Sequence, residues 1–339
     1  VTLAAAGPAA EQWEAAVAAV RGLGGDAEIQ LFCHVSPDGD ALGSMLGFGL
    51  GLRRLGFTRV RAAFPGEFSV PGPYTELPGL DLLVPEADAY PAPALVVVFD
   101  VASESRLVGL AERVTAAPVS VVLDHHASNT GFGGIRLVDP HAAATSVLAE
   151  QLLSRLGVPL DAEIAECFYV ALATDTGSFK FDMTTVAVHE LAARLIATGL
   201  RPGDISRRIF DTRPFGAMKL AGEVLGRAVL DRDAAGGCGM VWTYATLADL
   251  ARHGQPPYVL DTLIGPVRSV AEADVSVLVK QVAEGEWAVS LRSKGAIDVS
   301  GLAISQGGGG HRLAAGFTGY GAPAELVATV RRLLDDYRI

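Results

Sequence analysis

Three apolar runs in the N-terminal half of the chain stop abruptly on acidic or imidazole side chains. Residues 28–33 lead into His34-Val35-Ser36-Pro37-Asp38-Gly39-Asp40, residues 94–99 into Asp100, and residues 119–123 into Asp124-His125-His126. Short, nearly continuous apolar runs bounded by turn residues read as strands buried on both faces. Residues 59–64, 80–84 and 134–138 are further strand candidates. Stretches with helical spacing lie around them: 9–23, 41–55, 142–156 ending at Gly157, 162–173, and 184–197 ending at Gly199. Gly43, Gly47, Gly49 and Gly51 cost helix propensity in 41–55 and are tolerable if that helix packs closely on the sheet. This alternation predicts an α/β unit, a mainly parallel sheet with helices on both faces. In such sheets ligands collect beyond the carboxyl ends of the strands, where the runs deliver their Asp and His.

The pattern changes near residue 200. Pro202, Gly203, Arg207, Arg208, Arg213 and Pro214 crowd into a short segment that reads as a linker with a helical turn or two. The expected division is a catalytic domain 1–199, a linker 200–215 and a smaller α+β domain 216–339. In that second domain 215–228 reads as a helix and 239–244, 273–282 and 287–292 as strands. The last two form an antiparallel pair turning at 284–286. Residues 298–304 follow as a short helix with Asp298 as N-cap, then Gly307-Gly308-Gly309-Gly310-His311, and 322–337 closes the chain as a helix.

Composition narrows the picture. A chain of 339 residues has room for two cores, and with half its residues apolar it is not disordered. The formal charge of −11 argues against broad binding to long duplex nucleic acid, though not against a small anion held in a local cationic pocket. Cys33, Cys167 and Cys238 are odd in number and far apart, which fits buried thiols in a reducing cytoplasm. Residues 1–25 are Ala-rich but carry Glu11, Glu14 and Arg21, unlike a signal peptide, and no apolar run is long enough to span a bilayer.

Singly, the candidate residues have ordinary readings. Asp38-Gly39-Asp40 could be a solvated turn, Asp100 a helix N-cap or a ribose-binding acid, and Asp175 in Thr174-Asp175-Thr176-Gly177-Ser178-Phe179 a cap. His125 and His126 point to opposite sides of an extended backbone, so one would bind metal and the other face substrate. Together the strand ends describe a metal site, and histidine with several carboxylates suits Mn²⁺-like ions. A two-metal centre needs a shared carboxylate and several more N/O ligands; its chemistry is in-line hydrolysis of a phosphate ester. The glycine run lacks the Lys-Ser/Thr of a Walker loop. With Arg292, Ser293, Lys294 and His311 it reads as an anion pocket.

These motifs resemble a known family. His34 to Ser44, Phe99-Asp100, Asp124-His125-His126-Ala127-Ser128-Asn129 and Thr174 to Phe179 look like the four successive motifs of the DHH phosphoesterases. Leu291-Arg292-Ser293-Lys294-Gly295 and Gly307 to Gly316 resemble the associated DHHA1 domain. The size is similar to that of the NrnA-type oligoribonucleases, which act on very short RNA and often on 3′-phosphoadenosine 5′-phosphate (pAp). The resemblance implies that His34, Asp38 and Asp100 hold one Mn²⁺, and that Asp40, Asp100, His125 and Asp175 hold a second, Asp100 bridging; Mg²⁺ is the alternative ion. It implies His126 beside the scissile phosphate, Asp124 orienting a histidine, and Arg292, Ser293, Gly308, Gly309, Gly310 and His311 gripping the far nucleotide. Arg106 is assigned to a phosphate contact. The implied active site is a cleft between the domains. The implied partners are short single-stranded RNA or adenine nucleotides, with no membrane and no long duplex; a homodimer is implied by resemblance alone. One departure is Ile304-Ser305-Gln306, where relatives commonly carry an aromatic. A pyrophosphatase or polyphosphatase would want a denser cationic cluster than Arg292, Lys294 and Arg312. A non-catalytic nucleotide sensor would be marked by a lost metal ligand, and none is missing.

Overall fold

In a computed structural model that describes residues 7–336, the chain divides into two compact units after Thr212. The first unit comprises α1 (Ala10–Arg21), β1 (Ile29–Phe32), α2 (Gly39–Arg54), β2 (Val60–Ala63), β3 (Leu95–Phe99), α3 (Ala111–Ala116), β4 (Ser120–Asp124), β5 (Ile135–Val138), α4 (Thr145–Leu156), α5 (Ala162–Asp175), α6 (Val186–Ile196) and α7 (Pro202–Ser206). Its five strands run in the order β2-β1-β3-β4-β5 with every pairing parallel. The alternation of strand and helix thus produces the expected parallel sheet.

Strand residues alternate between two cores. Ile29, Leu31, Val97 and Leu123 pack with α1, α2, α4 and α5; Phe32, Val96, Val98 and Val122 pack with Leu107, Leu110 and Val114 on the other face. Residues 80–84, expected as a strand, instead make a 3₁₀ turn, Leu80–Leu82, with a single bridge from Leu83 to Ala62. Gly79 at φ 80° turns the chain there, and buried Leu82 packs into the core rather than extending the sheet. Residues 200–215 form α7 and a π-helical turn, Arg207–Asp211, whose Ile205 and Ile209 are buried in the first core.

The glycines of α2 serve close packing, mostly against a helix. Gly39, Gly43 and Gly47 recur every four residues on one face. A Cβ there would meet Thr174 at 2.5 Å, overlap the Cys167 carbonyl oxygen, and meet the Phe168 ring at 2.6 Å, all on α5. Gly49 alone faces the sheet, at 2.9 Å from Leu31. This contact brings the first turn of α2, with Asp38 and Asp40, beside the last turn of α5, with Asp175. Gly43→Ala is therefore expected to destabilise the protein by about 1–3 kcal/mol through overpacking against fixed backbone. Thermal unfolding checks this; an unchanged midpoint would mean the two helices are not held by this contact.

The second unit comprises α8 (Phe215–Gly226), β6 (Val229–Asp231), β7 (Met240–Ala245), α9 (Leu247–His253), α10 (Ile264–Arg268), β8 (Val275–Ala283), β9 (Glu286–Ser293), α11 (Val299–Ser305), β10 (Gly309–His311), β11 (Ala314–Tyr320) and α12 (Pro323–Asp336). Its six strands run β10-β11-β9-β8-β7-β6, antiparallel except for β7 with β8. The β8–β9 hairpin is the expected one, and Asp298 caps α11 through Ser300 N. Tyr337, the last residue of the expected closing helix, lies outside the described residues. Among the described residues no helix is long and apolar enough to cross a membrane.

Candidate metal centre

Sequence order reverses direction in the first sheet between β1 and β3, which lie side by side. A crevice beyond the strand ends forms at such a point. His34 follows β1, Asp100 follows β3 at φ 60°, and Asp124 ends β4. Asp38 is the N-cap of α2, accepting from Asp40 N and Ala41 N at 3.1 and 3.0 Å. Asp175 is the last residue of α5, two residues beyond the helix end expected from sequence.

These side chains gather into two sets. Ligand atoms of His34, Asp38 and Asp100 lie within 4.8 Å of one another, as do those of Asp40, His125 and Asp175. Asp100 faces both: its Oδ2 is 3.4 Å from His34 Nε2 and its Oδ1 is 3.6 Å from His125 Nε2. His125 Nε2 also lies 3.1 Å from Asp175 Oδ2 and 3.7 Å from Asp40 Oδ2. Asp40, Asp100 and His125 are almost wholly buried.

The histidines are oriented from behind. Nδ1 of His125 faces the Ala142 carbonyl at 3.1 Å and Nδ1 of His34 the Val35 carbonyl at 2.9 Å. A proton donated from Nδ1 to oxygen leaves Nε2 as the coordinating nitrogen. His126 differs: its Nδ1 bonds Asp124 Oδ1 at 2.7 Å, while Asp124 Oδ2 accepts from Asn129 Nδ2 at 2.6 Å. Both oxygens of buried Asp124 are thus engaged in holding its neighbours.

Electrostatics suit a cation. Burial and the charges of Asp100 and Asp175 push the Asp40 pKa well above the carboxylate range. Burial opposes protonation of His125, but the Asp175 hydrogen bond and the charges of Asp175, Asp100 and Asp40 prevail and raise its pKa strongly. His34 is raised too, with burial outweighed by the Asp100 hydrogen bond and the Asp38 charge. For Asp100 burial is outweighed by the His34 hydrogen bond and the charges of His126 and His125, which hold it far below its usual value. Such a crowd of carboxylates around imidazoles is the hard N/O donor set a divalent ion neutralises.

Sequence reasoning assigned no role to the residues that steady this cluster. Asp40 Oδ2 accepts from Thr145 N at 2.6 Å; its Oδ1 accepts from Ser146 N at 3.2 Å and Ser44 Oγ at 2.8 Å. Thr145 Oγ1 donates to Asp100 Oδ1 at 3.1 Å. A signal existed: α4 begins after Ala144, which offers no capping side chain, so its first amides need an acceptor from elsewhere. Thr145→Val should weaken divalent-metal binding by roughly tenfold to a hundredfold, and Thr145→Ser should not. Calorimetry decides; equal affinity in the valine variant would deny Thr145 a positioning role.

In the second unit, His311, Ala314 and Arg292 form one rung across β10, β11 and β9. One rung places the Arg292 and His311 positions about 10 Å apart by strand spacing. Arg292 Nη1 donates to Leu291 O, and burial lowers its pKa. Gly309 and Gly310 lie in edge strand β10, while Gly308 N donates to Ala303 O. Ser293 stands apart: fully buried, its hydroxyl donates to Asp274 Oδ2 and accepts from Gly295 N. Arg106 is in the first unit, against His34.

Residues 28–172 match the DHH family, N-terminal domain, and residues 242–337 the DHHA1 domain. A bifunctional oligoribonuclease and PAP phosphatase NrnA of Thermus thermophilus is 34% identical over 290 residues, 86% of this chain and 83% of that protein. The chain belongs to the DHH phosphoesterase family. Its relatives include the Bacillus subtilis protein of the same name, 27% identical over 86% of this chain and 89% of that one. An exopolyphosphatase-related protein from Bacteroides fragilis has the same fold, with a TM-score of 0.85 and 24% identity over 97% of both chains. The family resemblance carried by the strand-end motifs and the glycine run is thereby borne out. DHH phosphoesterases are metal-dependent, and the two residue sets described above are clusters able to hold metal.

Proposed function

We propose that this DHH phosphoesterase hydrolyses oligoribonucleotides a few residues long to 5′-mononucleotides and removes the 3′-phosphate from pAp, using two Mn²⁺ ions. The observation carrying the reading is the sharing of Asp100 between the two residue sets, in a chain whose curated relatives are named for these two activities. His34, Asp38 and Asp100 would hold one ion, and Asp40, Asp100, His125 and Asp175 the other. When bound, the pair supplies Lewis acidity that activates water and neutralises charge gathering on the phosphoryl oxygens. The rest falls to the chain itself. Thr145 and Ser44 fix the carboxylates. Asp124 holds His126 with Nε2 turned away from it and, against the burial that disfavours a charged ring, its hydrogen bond raises the His126 pKa, so the protonated ring can donate from Nε2 to the phosphate or the leaving oxygen. Arg292 and His311 on their shared rung grip the far phosphate or nucleotide, with the β10 glycines leaving room for close approach. The free, buried Cys33 and Cys167 agree with a cytoplasmic setting.

Initial rates on pApA, pAp, a longer RNA and pyrophosphate, with Mn²⁺ or Mg²⁺, test the reading. Turnover of pApA and pAp above the other two is expected; inertness towards both would refute the substrate assignment. Arg292→Ala should raise KM more than it lowers kcat if the guanidinium binds ground and transition states alike. A fall in kcat with KM unchanged would contradict that role.

A further inference from the structure

Two exposed apolar side chains stand on loops that the fold ties to the edge of the metal centre. Phe68 lies in the loop that leaves β2 at the carboxyl edge of the first sheet. It is 47% exposed, although its ring stacks on that of Phe64, 5.9 Å away and 18° from parallel. Phe64 follows directly on β2 and is buried, so one face of Phe68 rests on the core. Val108 lies in the 3₁₀ segment Glu104–Leu110 after β3 and is 60% exposed, between buried Leu107 and Leu110. Its φ of 48° is costly for a β-branched residue, and such strain clusters at ligand clamps. Both loops converge on Val35, the residue after His34. A Cβ on Gly66 would lie 3.5 Å from Val35 Cγ2, and Val35 N donates to Arg106 O at 3.0 Å. Glu86 also joins the loops: Oε2 accepts from Gly66 N at 3.4 Å, and Oε1 lies 2.8 Å from where a Cβ on Gly109 would sit.

We infer that Phe68, flanked by the Val108 loop, is the platform on which a base of the substrate stacks beside the metal centre. This rests on the phosphoesterase reading above. Single exposed apolar residues are ordinary on protein surfaces and need no ligand. Phe68 differs in two ways: its ring is held by a fixed partner, and its loop touches the neighbour of His34. Val70, two residues on, packs against the first core and pins the loop from its other end. A nucleotide is the occupant that fits, since it joins a flat apolar base to an anionic phosphate. Phe68 offers the flat face, and Arg106, exposed on the Val108 segment, offers the cation. Every base has a π-face, so the platform accepts any sequence. A ring already held in place loses little freedom on binding. Pyrophosphate and polyphosphate have no base and gain nothing from it. The platform thus favours nucleotides at a centre whose charges alone suit any phosphate.

The test uses the full chain with Mn²⁺ and two substrates, pApA and its abasic counterpart, which keeps the phosphates and sugars without the bases. In wild type KM for the abasic compound should exceed KM for pApA. In Phe68→Ala the ratio of the two should fall about tenfold. Phe68→Trp should preserve the ratio. Phe68→Leu keeps apolar bulk without a ring face, so it should behave as the alanine variant does, and it serves if alanine unsettles the loop. A merely structural Phe68 would impair both substrates together and leave the ratio alone. A wild-type ratio near one, or a ratio unchanged in Phe68→Ala and Phe68→Leu, overturns the platform and leaves the hydrolase reading standing. Loss of the ratio in Phe68→Trp as well would mark a packing role and overturn it too. A wild type inert towards both pApA and pAp overturns the hydrolase reading and the platform with it.

Discussion

Asp100→Asn is expected to lower turnover by at least about a thousandfold, which corresponds to about 4 kcal/mol of lost transition-state stabilisation. The two oxygens of Asp100 face different imidazoles, Oδ2 towards His34 and Oδ1 towards His125. Its replacement withdraws an anionic ligand from both residue sets at once. Asparagine is the informative substitute because, like aspartate, it tolerates the left-handed conformation at φ 60°. The loss would then report charge rather than backbone distortion. Removing one carboxylate also relieves Asp40, whose pKa is raised by burial and next by Asp100. The rise in unfolding temperature on adding Mn²⁺ should also shrink, since both residue sets lose an anionic ligand. Thermal scans with and without Mn²⁺, beside steady-state rates, check both parts. Near-normal rates would refute the shared role.

Asp124→Asn should lower kcat by roughly a hundredfold to a thousandfold with little change in KM. Against the burial that disfavours a charged imidazole, Asp124 Oδ1 accepts from His126 Nδ1, which fixes where Nε2 points and favours the protonated ring that can donate from it. An amide there must present a donor either to His126 or to Asn129, so one of the two contacts fails. Asp124 acts only through the histidine in this account. The double variant with His126→Ala should therefore be no slower than His126→Ala alone, because groups working as a unit are not additive. Additive losses would show that Asp124 has a separate function, such as direct metal ligation.

Much of the first unit was legible because its signals are local. An apolar run that ends on Asp or His announces a buried strand and its functional end, and the alternation with helices dictates a parallel sheet. What stayed hidden depends on distant partners. Asp40 answers the uncapped start of α4, 105 residues away, so neither residue's own neighbourhood reveals the bond. Asn129 stood within a motif, but its tie to Asp124 needs the turn that folds it back. Asp175 lay beyond the helix end expected at residue 173. The helix continues because the Thr174 hydroxyl bonds back to Val170 O and Ala171 O instead of breaking the turn. In the second unit, β10 and β11 were missed because Gly309 to Gly316 has no β-branched residue. These strands form because β9 offers an edge, with β11 pairing along it from Ala314 to Tyr320.

The most direct test is anomalous diffraction at the manganese edge from crystals grown with Mn²⁺. Two peaks are predicted, one among His34, Asp38 and Asp100 and the other among Asp40, Asp100, His125 and Asp175. A single peak, or manganese bound away from Asp100, would contradict the account.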